Sequence, residues 1–321
     1  MMKIDAVITW VDGNDPVHRA KRRSVADTGL LHSDDVAGDT RFTDVGEIYW
    51  CVASLNRFAP WINRIYIVTD GQDPHLEPFL ERNFPDGYIP VEIVDHKVIF
   101  RGYEQYLPTF NSAAIESMTW RIPGLSDYFI ELNDDMLLTS MAVPGDFFTP
   151  EGHPVCYADR CNMLWTKFTR SLKSRRNGRE KVTFKGTMCN AASLSGSFWS
   201  FLKINHTPRA LLRTFYQEYF EKHPEHLLRN IRHQLRNSDM YNPQLLQYTL
   251  LSRTGECVVK PVKGNLFYLQ PKPKRDYVYN KLKLLEESAC RFCCFNSIDK
   301  ASEEELSAVK RWVVNRLDIV L

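Results

Sequence analysis

Two adjacent carboxylates, Asp134 and Asp135, follow the apolar run Tyr128-Phe129-Ile130-Glu131-Leu132, with Asn133 between. On a tight turn after a buried strand, such a pair offers hard oxygen ligands to Mg²⁺ or Mn²⁺. These cations keep part of their water shell and bind substrate phosphates. The same pair equally suits a solvated turn in which one aspartate caps a helix. His206, in Asn205-His206-Thr207-Pro208, could take a proton from an attacking hydroxyl near neutral pH. Arg236, in Leu235-Arg236-Asn237-Ser238-Asp239, is of the type that meets phosphoryl oxygens. Single histidines and arginines are common on ordinary surfaces, so type alone assigns neither. Asp5 lies inside an apolar strand, where an unpaired charge is costly. It is either hydrogen-bonded for structure or turned toward a ligand.

The elements that would position these groups follow from periodicity. Ile4 to Val11, Ile65 to Val68, Val91 to Val94 and Tyr128 to Leu132 read as buried strands. Each ends in a polar or acidic turn, which puts Asp12, Asp70, Asp95 and Asp134 just beyond strand ends. That pattern predicts an open, mainly parallel α/β sheet with its ligand site outside the carboxyl ends of the strands. Glu47 to Phe58 carries apolar residues at helical spacing, and Ser112 to Ile122 reads as a second helix. Beyond residue 150, helices are predicted over Thr207 to Lys222, His226 to Leu235 and Pro243 to Ser252. Short strands are expected at Val258 to Val262 and Asn265 to Leu269, and Asp276 to Glu286 is polar without a clear assignment. Ser302-x-x-Glu305 is a capping-box pattern, and Leu306, Val309, Val313, Leu317 and Val320 mark one face of the helix it opens.

Composition narrows the function classes. The chain has 321 residues, 44% hydrophobic and 25% charged, enough for a sizeable core. A net charge of +2 gives no reason to expect a nucleic-acid partner. Positive charge is nonetheless concentrated between Lys167 and Lys185, where eight basic residues meet one acid, Glu180. Such a run is a solvated loop or a flap that meets phosphates. The strand at Ile4 leaves no room for a signal peptide, and no apolar stretch approaches the roughly 20 residues of a membrane span. A cytoplasmic protein is expected, with peripheral attachment to a membrane complex left open. The eight cysteines then read as reduced core residues, and Cys290-x-x-Cys293 lacks the second pair a structural zinc would need.

Longer strings carry a resemblance. Ile4-Asp5-Ala6-Val7-Ile8-Thr9-Trp10-Val11-Asp12-Gly13-Asn14-Asp15-Pro16 resembles the opening motif of the Stealth family. This family includes bacterial capsular polysaccharide phosphotransferases and the catalytic part of the lysosomal-enzyme N-acetylglucosamine-1-phosphotransferase. Arg41-Phe42-Thr43-Asp44, Ile65-Tyr66-Ile67-Val68-Thr69-Asp70-Gly71-Gln72, Leu107-Pro108-Thr109-Phe110-Asn111-Ser112 and Leu132-Asn133-Asp134-Asp135 resemble its second region in order. His206-Thr207-Pro208 with Arg236-Asn237-Ser238-Asp239-Met240 resembles the third, and Arg291-Phe292-Cys293-Cys294-Phe295-Asn296 the fourth. The family's usual Asn-Asp in the fourth region reads Asn296-Ser297, and its Phe-Pro and Ser-x-Phe-Glu ending is not met before Leu321.

The resemblance implies a Rossmann-like, glycosyltransferase-A-type core with an additional helical lobe. Residues 1–150 would bind the nucleotide sugar and metal. Residues 151–321 would carry the acceptor side, the base and the closing helix, within one catalytic unit. It further implies transfer of a hexose-1-phosphate from a UDP-sugar to a hydroxyl of a glycan acceptor, with release of UMP. Asp134 and Asp135 would hold Mg²⁺, or Mn²⁺ in its place, His206 would be the base, and Arg236 would neutralise the transferring phosphoryl group. Asp5, Asn133, Lys185 and Asp239 would support the substrate site. Arg175 and Arg179 are alternatives to Lys185 on the pyrophosphate. The runner-up is a metal-dependent glycosyltransferase that releases UDP. A third reading is a silent glycan-binding scaffold.

Overall fold

The computed structural model describes residues 2–26, 44–166, 169 and 183–321. The basic stretch from Lys167 to Lys181, apart from Thr169, lies outside them, as do Arg41-Phe42-Thr43 and the residues 27–40 before them.

The strands are β1 (Ile4–Thr9), β2 (Ile65–Thr69), β3 (Val91–Asp95), β4 (Tyr128–Asn133), β5 (Met136–Leu138) and β6 (Val155–Asn162). They continue with β7 (Ser200–Ile204), β8 (Arg209–Leu212), β9 (Val258–Lys260), β10 (Leu266–Leu269) and β11 (Phe292–Phe295). Helices α1 to α5 are Pro16–Ala26, Glu47–Phe58, Glu77–Asn83, His96–Ile99 and Ser112–Glu116. Helices α6 to α11 are Phe184–Leu194, Arg213–Lys222, Pro224–Ile231, Pro243–Thr254, Tyr277–Glu286 and Glu303–Leu317.

The central sheet has the order β3-β2-β1-β4-β8. Its first four strands are parallel, and β8 closes the edge antiparallel to β4. Strands buried on both faces need apolar side chains at successive positions, and Ile4-Asp5-Ala6-Val7-Ile8 and Ile65-Tyr66-Ile67-Val68 supply them. Alternation then divides the core into two layers. Ala6, Ile8, Ile65, Ile67, Ile130 and Leu132 point into the layer of α2 and α11. Val7, Tyr66, Val68 and Phe129 point the other way, into the layer of α5 to α9. The fold is therefore α/β with a mainly parallel central sheet. Two three-stranded sheets, β10-β11-β5 and β7-β6-β9, flank it. The later part of the chain enters the earlier part twice, through β8 on β4 and β11 on β5.

Some elements differ from the sequence expectation. The helix expected from Thr207 begins only at Arg213, because Arg209–Leu212 pairs with β4 and the sheet edge overrides helical propensity. Ser112–Ile122 is a short helix to Glu116 followed by a 3₁₀ turn at Thr119–Arg121. The helix expected over His226–Leu235 is Pro224–Ile231, with proline at its first turn. The unassigned polar stretch is α10, which buries Val278, Leu282 and Leu285. The capping box of α11 forms as expected, with Ser302 and Glu305 exchanging side-chain and backbone bonds at 3.1 and 3.2 Å. All eight cysteines are free thiols. Among the described residues no helix is long and apolar enough to cross a membrane.

Candidate functional site

The registers Thr9↔Val68, Thr9↔Asn133 and Thr69↔Asp95 align the carboxyl ends of β1 to β4. Of the four aspartates expected there, Asp134 lines the cavity above this edge. The other three organise the surrounding loops: Asp12 accepts from the Asn14 amide, Asp70 pairs with Lys21 at 3.0 Å, and Asp95 caps α4 through the Lys97 amide. The cavity measures 440 Å³ and is walled by Trp10, Glu47, Asn133, Asp134, Asp135, His206, Arg209 and Arg236, among others.

One wall is acidic. Glu47 stands at the start of α2 and accepts from the Val45 amide at 2.8 Å. Burial, with Asp44 adding to it, pushes the Glu47 carboxyl up to about 8. Asp134 is pushed up too, by burial first and then by Glu47, Asp135 and Asp44. Crowded like charges in a desolvated corner are what a cation relieves. Asp135 accepts from Asn296 Nδ2 at 3.1 Å and from the Cys294 thiol at 3.3 Å through one oxygen, while its Oδ1 is buried without a hydrogen-bond partner. Asp135, His206 and Cys294 place donor atoms within 4.8 Å of one another. Burial holds the Cys294 thiol protonated, however, so the sulfur donates to Asp135 and leaves the hard oxygens to receive a metal.

The other wall is basic. His206 Nδ1 lies 3.9 Å from Asp135 Oδ2, with its ring between Phe184 and Tyr268 at centroid distances of 6.0 and 5.6 Å. Burial depresses its pKa, against the pull of Asp135, and favours the neutral imidazole. Arg236 reaches the cavity from the loop after α8 and donates to Ser112 Oγ at 3.2 Å. Arg209 is almost fully buried at the start of β8. Its Nη1 faces Glu131 Oε1 at 3.3 Å and Asn133 Oδ1 at 3.4 Å. Glu131 also accepts from Gln244 Nε2 and, at 3.3 Å, from Thr119 Oγ1. Burial and the neighbouring Glu116 push Glu131 up to about 8, against the pull of Arg209.

The fold thus brings Asn133, Asp134, Asp135, His206 and Arg236 to one cavity and leaves three expected residues off its wall. Asp5 sits four positions before Thr9 on β1, toward the opposite end of the sheet. There it accepts from Asn63 Nδ2 at 2.6 Å and the Ser126 amide at 2.7 Å, which ties two loops together. Asp239 pairs with Arg232 and with His233 Nε2 at 2.9 Å, so it shapes the loop that presents Arg236. Lys185 is exposed next to Phe184, which does line the cavity. Glu47 and Arg209 escaped the sequence reading. The signals were there: Glu47 opens a helix three residues after Asp44, and Arg209 precedes the strand-like Ala210-Leu211-Leu212.

A mainly parallel sheet with an acidic turn at its carboxyl edge and cations opposite suits a phosphate-bearing substrate held with a cation. The likeness in fold reaches the galactosyltransferase LgtC, solved with donor and acceptor sugar analogues. It has a TM-score of 0.50 at 11% identity over 98% of this chain and 96% of that one. Sequence comparison carries the identification further. Residues 2–29 match Stealth protein conserved region 1, and residues 41–156 match conserved region 2. Two conserved regions of the Stealth family are thus matched in this chain, and it is an enzyme. The receptor polysaccharide phosphotransferase WefC of Streptococcus oralis is 28% identical over 95% of this chain and 93% of its own length. The capsular polysaccharide phosphotransferase WcwK of Streptococcus pneumoniae is 28% identical with the same coverage.

Proposed function

We propose that this enzyme transfers a hexose-1-phosphate, of the N-acetylhexosamine class, from a UDP-sugar to a hydroxyl of an acceptor glycan in capsular or surface polysaccharide synthesis. The observation that carries the reading is the single cavity in which His206 stands beside Asp135 with Arg236 and Arg209 on the same wall. The phosphotransferase names of relatives that span nearly the whole chain support it.

In this reading the acceptor oxygen forms a bond to the sugar-linked phosphorus. The bond from that phosphorus to the bridging oxygen breaks, and UMP leaves with the oxygen. The acceptor proton passes to His206, which burial keeps neutral and ready to receive it. Arg236 meets the charge on the transferring phosphoryl group, and Arg209 holds Asn133 in place beneath it. Asp134 and Asp135 are the residues that would hold Mg²⁺, or Mn²⁺, which would supply charge neutralisation to the pyrophosphate. The unpartnered Asp135 Oδ1 and the raised Asp134 carboxyl fit that ion. Lys185, at the rim beside Phe184, is the candidate donor contact from the basic segment. Asp5 and Asp239 act by holding the framework. A cytoplasmic site of action is part of this reading.

The test is to incubate purified enzyme with Mg²⁺, a panel of UDP-N-acetylhexosamines and an oligosaccharide primer, and to identify the released nucleotide. UMP is expected. UDP would replace this reading with ordinary glycosyl transfer.

A further inference from the structure

A second constellation lies away from the cavity, at the corner where α7 meets α8. His223 caps the carboxyl end of α7, Pro224 opens α8, and Glu225 and His226 follow in its first turn. Glu225 Oε1 stands 3.5 Å from His223 Nδ1 and 3.7 Å from His226 Nε2, and all three donor atoms fall within 4.8 Å. Ligands held 2.0–2.1 Å from a tetrahedral ion sit about 3.4 Å apart, so two edges of that figure are already close to formed.

The rings are set by stacking rather than left free. Tyr219, His223 and His226 pack with centroid distances of 4.8, 5.2 and 5.8 Å, and the two imidazoles lie within 19° of parallel. Tyr219 Oη is 2.8 Å from His226 Nδ1. With the proton on Nδ1 and donated to Tyr219, the lone pair of His226 is on Nε2, facing Glu225. An outer hydrogen bond of this kind is what orients metal-binding histidines in general.

We propose that His223, Glu225 and His226 form a binding site for a divalent transition cation of the zinc type, separate from the catalytic cavity. Two imidazoles and one carboxylate select Zn²⁺, Ni²⁺ or Cu²⁺ over Mg²⁺, which prefers oxygen ligands alone. Burial depresses the pKa of His226, which favours the neutral ring a metal requires. Glu225 is 64% exposed, so a cation has a path of entry, and solvent can complete the coordination. Because α8 leads into the loop of Arg236, an ion here clamps the outer end of that helix without touching substrate.

The experiment titrates Zn²⁺ calorimetrically into the full chain and into His223→Ala, Glu225→Gln, His226→Ala and Tyr219→Phe variants, each checked for fold by circular dichroism. His206→Ala separates any Zn²⁺ taken by the catalytic cavity. One binding event should persist in His206→Ala and disappear in His223→Ala and His226→Ala. Tyr219→Phe should weaken that event by about tenfold or more. Turnover with Mg²⁺ in chelated, zinc-free buffer should match the parent enzyme in His223→Ala. If the histidine variants bind Zn²⁺ with the same stoichiometry and affinity as the parent chain, there is no such site. If Tyr219→Phe binds unchanged while the histidine variants do not, the built arrangement reduces to a plain surface pair, and the proposal fails as stated.

Discussion

The two walls of the cavity handle their charge in opposite ways. On the acidic wall Glu47 and Asp134 repel one another and Asp135 beside them. Both carry raised pKa values, and burial is the largest cause. On the basic wall the charge is partly cancelled inside the protein. Arg209 faces the buried Glu131, which Gln244 and Thr119 also hold. Arg236 donates to a hydroxyl and, among the described residues, has no ion pair. The acidic wall therefore suits an outside cation. The basic wall ties one arginine into its framework, while the other, among the described residues, has no carboxylate partner. Charge left unbalanced in a desolvated place marks where ligand charge belongs.

The largest expected effect breaks the acidic wall. Asp134→Asn keeps shape and removes a negative charge, so turnover should fall by about 10³-fold or more, with metal affinity reduced. Thermal stability should hold or rise, because the residue it relieves is crowded by like charges. Near-parental kcat in this variant would remove Asp134 from the metal role. Next comes His206→Gln, with an expected loss of about 10²–10⁴-fold in kcat. The active form of the base is the neutral ring, and burial has moved its pKa below 6.5. The plateau of kcat/KM should thus extend below pH 6.5 before the rate falls, and an acid limb at or above 6.5 would contradict this assignment.

The third effect separates framework from chemistry on the basic wall. Arg209→Met strands Glu131 and should cost about 3 kcal/mol of stability, together with a ten- to hundredfold loss of turnover as Asn133 loses its anchor. Adding Glu131→Leu should return most of the stability, since an apolar pair replaces a buried polar one. It should not return the activity. Recovery of both would show that Arg209 matters only for folding.

The same contrast explains what the sequence could reveal. β1, β2 and β4 were legible because burial on both faces demands unbroken apolar runs, and the acidic turn was visible because it ends one of them. β8 was not, since Arg209-Ala210-Leu211-Leu212 adjoins a true helix and becomes a strand only by pairing with β4. β5 and β11 are too short for any period to show. Glu47 looked like an ordinary acidic residue in the first turn of a helix, a common stabilising choice in itself. Its place opposite Asp134 is a tertiary fact. Asp5 showed the reverse: its cost inside a strand was readable, but both readings, structural and ligand-facing, fitted the sequence equally. Asn63 and the Ser126 amide give its carboxylate two hydrogen bonds within the framework.

His96 gives the smallest effect and bears on how the loops beside the acidic wall hold their charge. The ring lines the cavity from α4 and is almost fully buried. Burial pulls its pKa down to about 4, against the opposing pull of Asp70 and Asp95. The unfolded chain protonates this residue near 6.5, so between about pH 6.5 and pH 4 the unfolded state binds more protons. Stability should accordingly decline as pH falls through that window, by up to about 3 kcal/mol from this group alone. Urea midpoints measured at pH 7, 5.5 and 4 for the parent and His96→Gln would show it, with a shallower acid slope in the variant. An unchanged slope would mean that His96 is charged in the folded protein. Asp70 and Asp95 would then be the carboxylates that hold that charge.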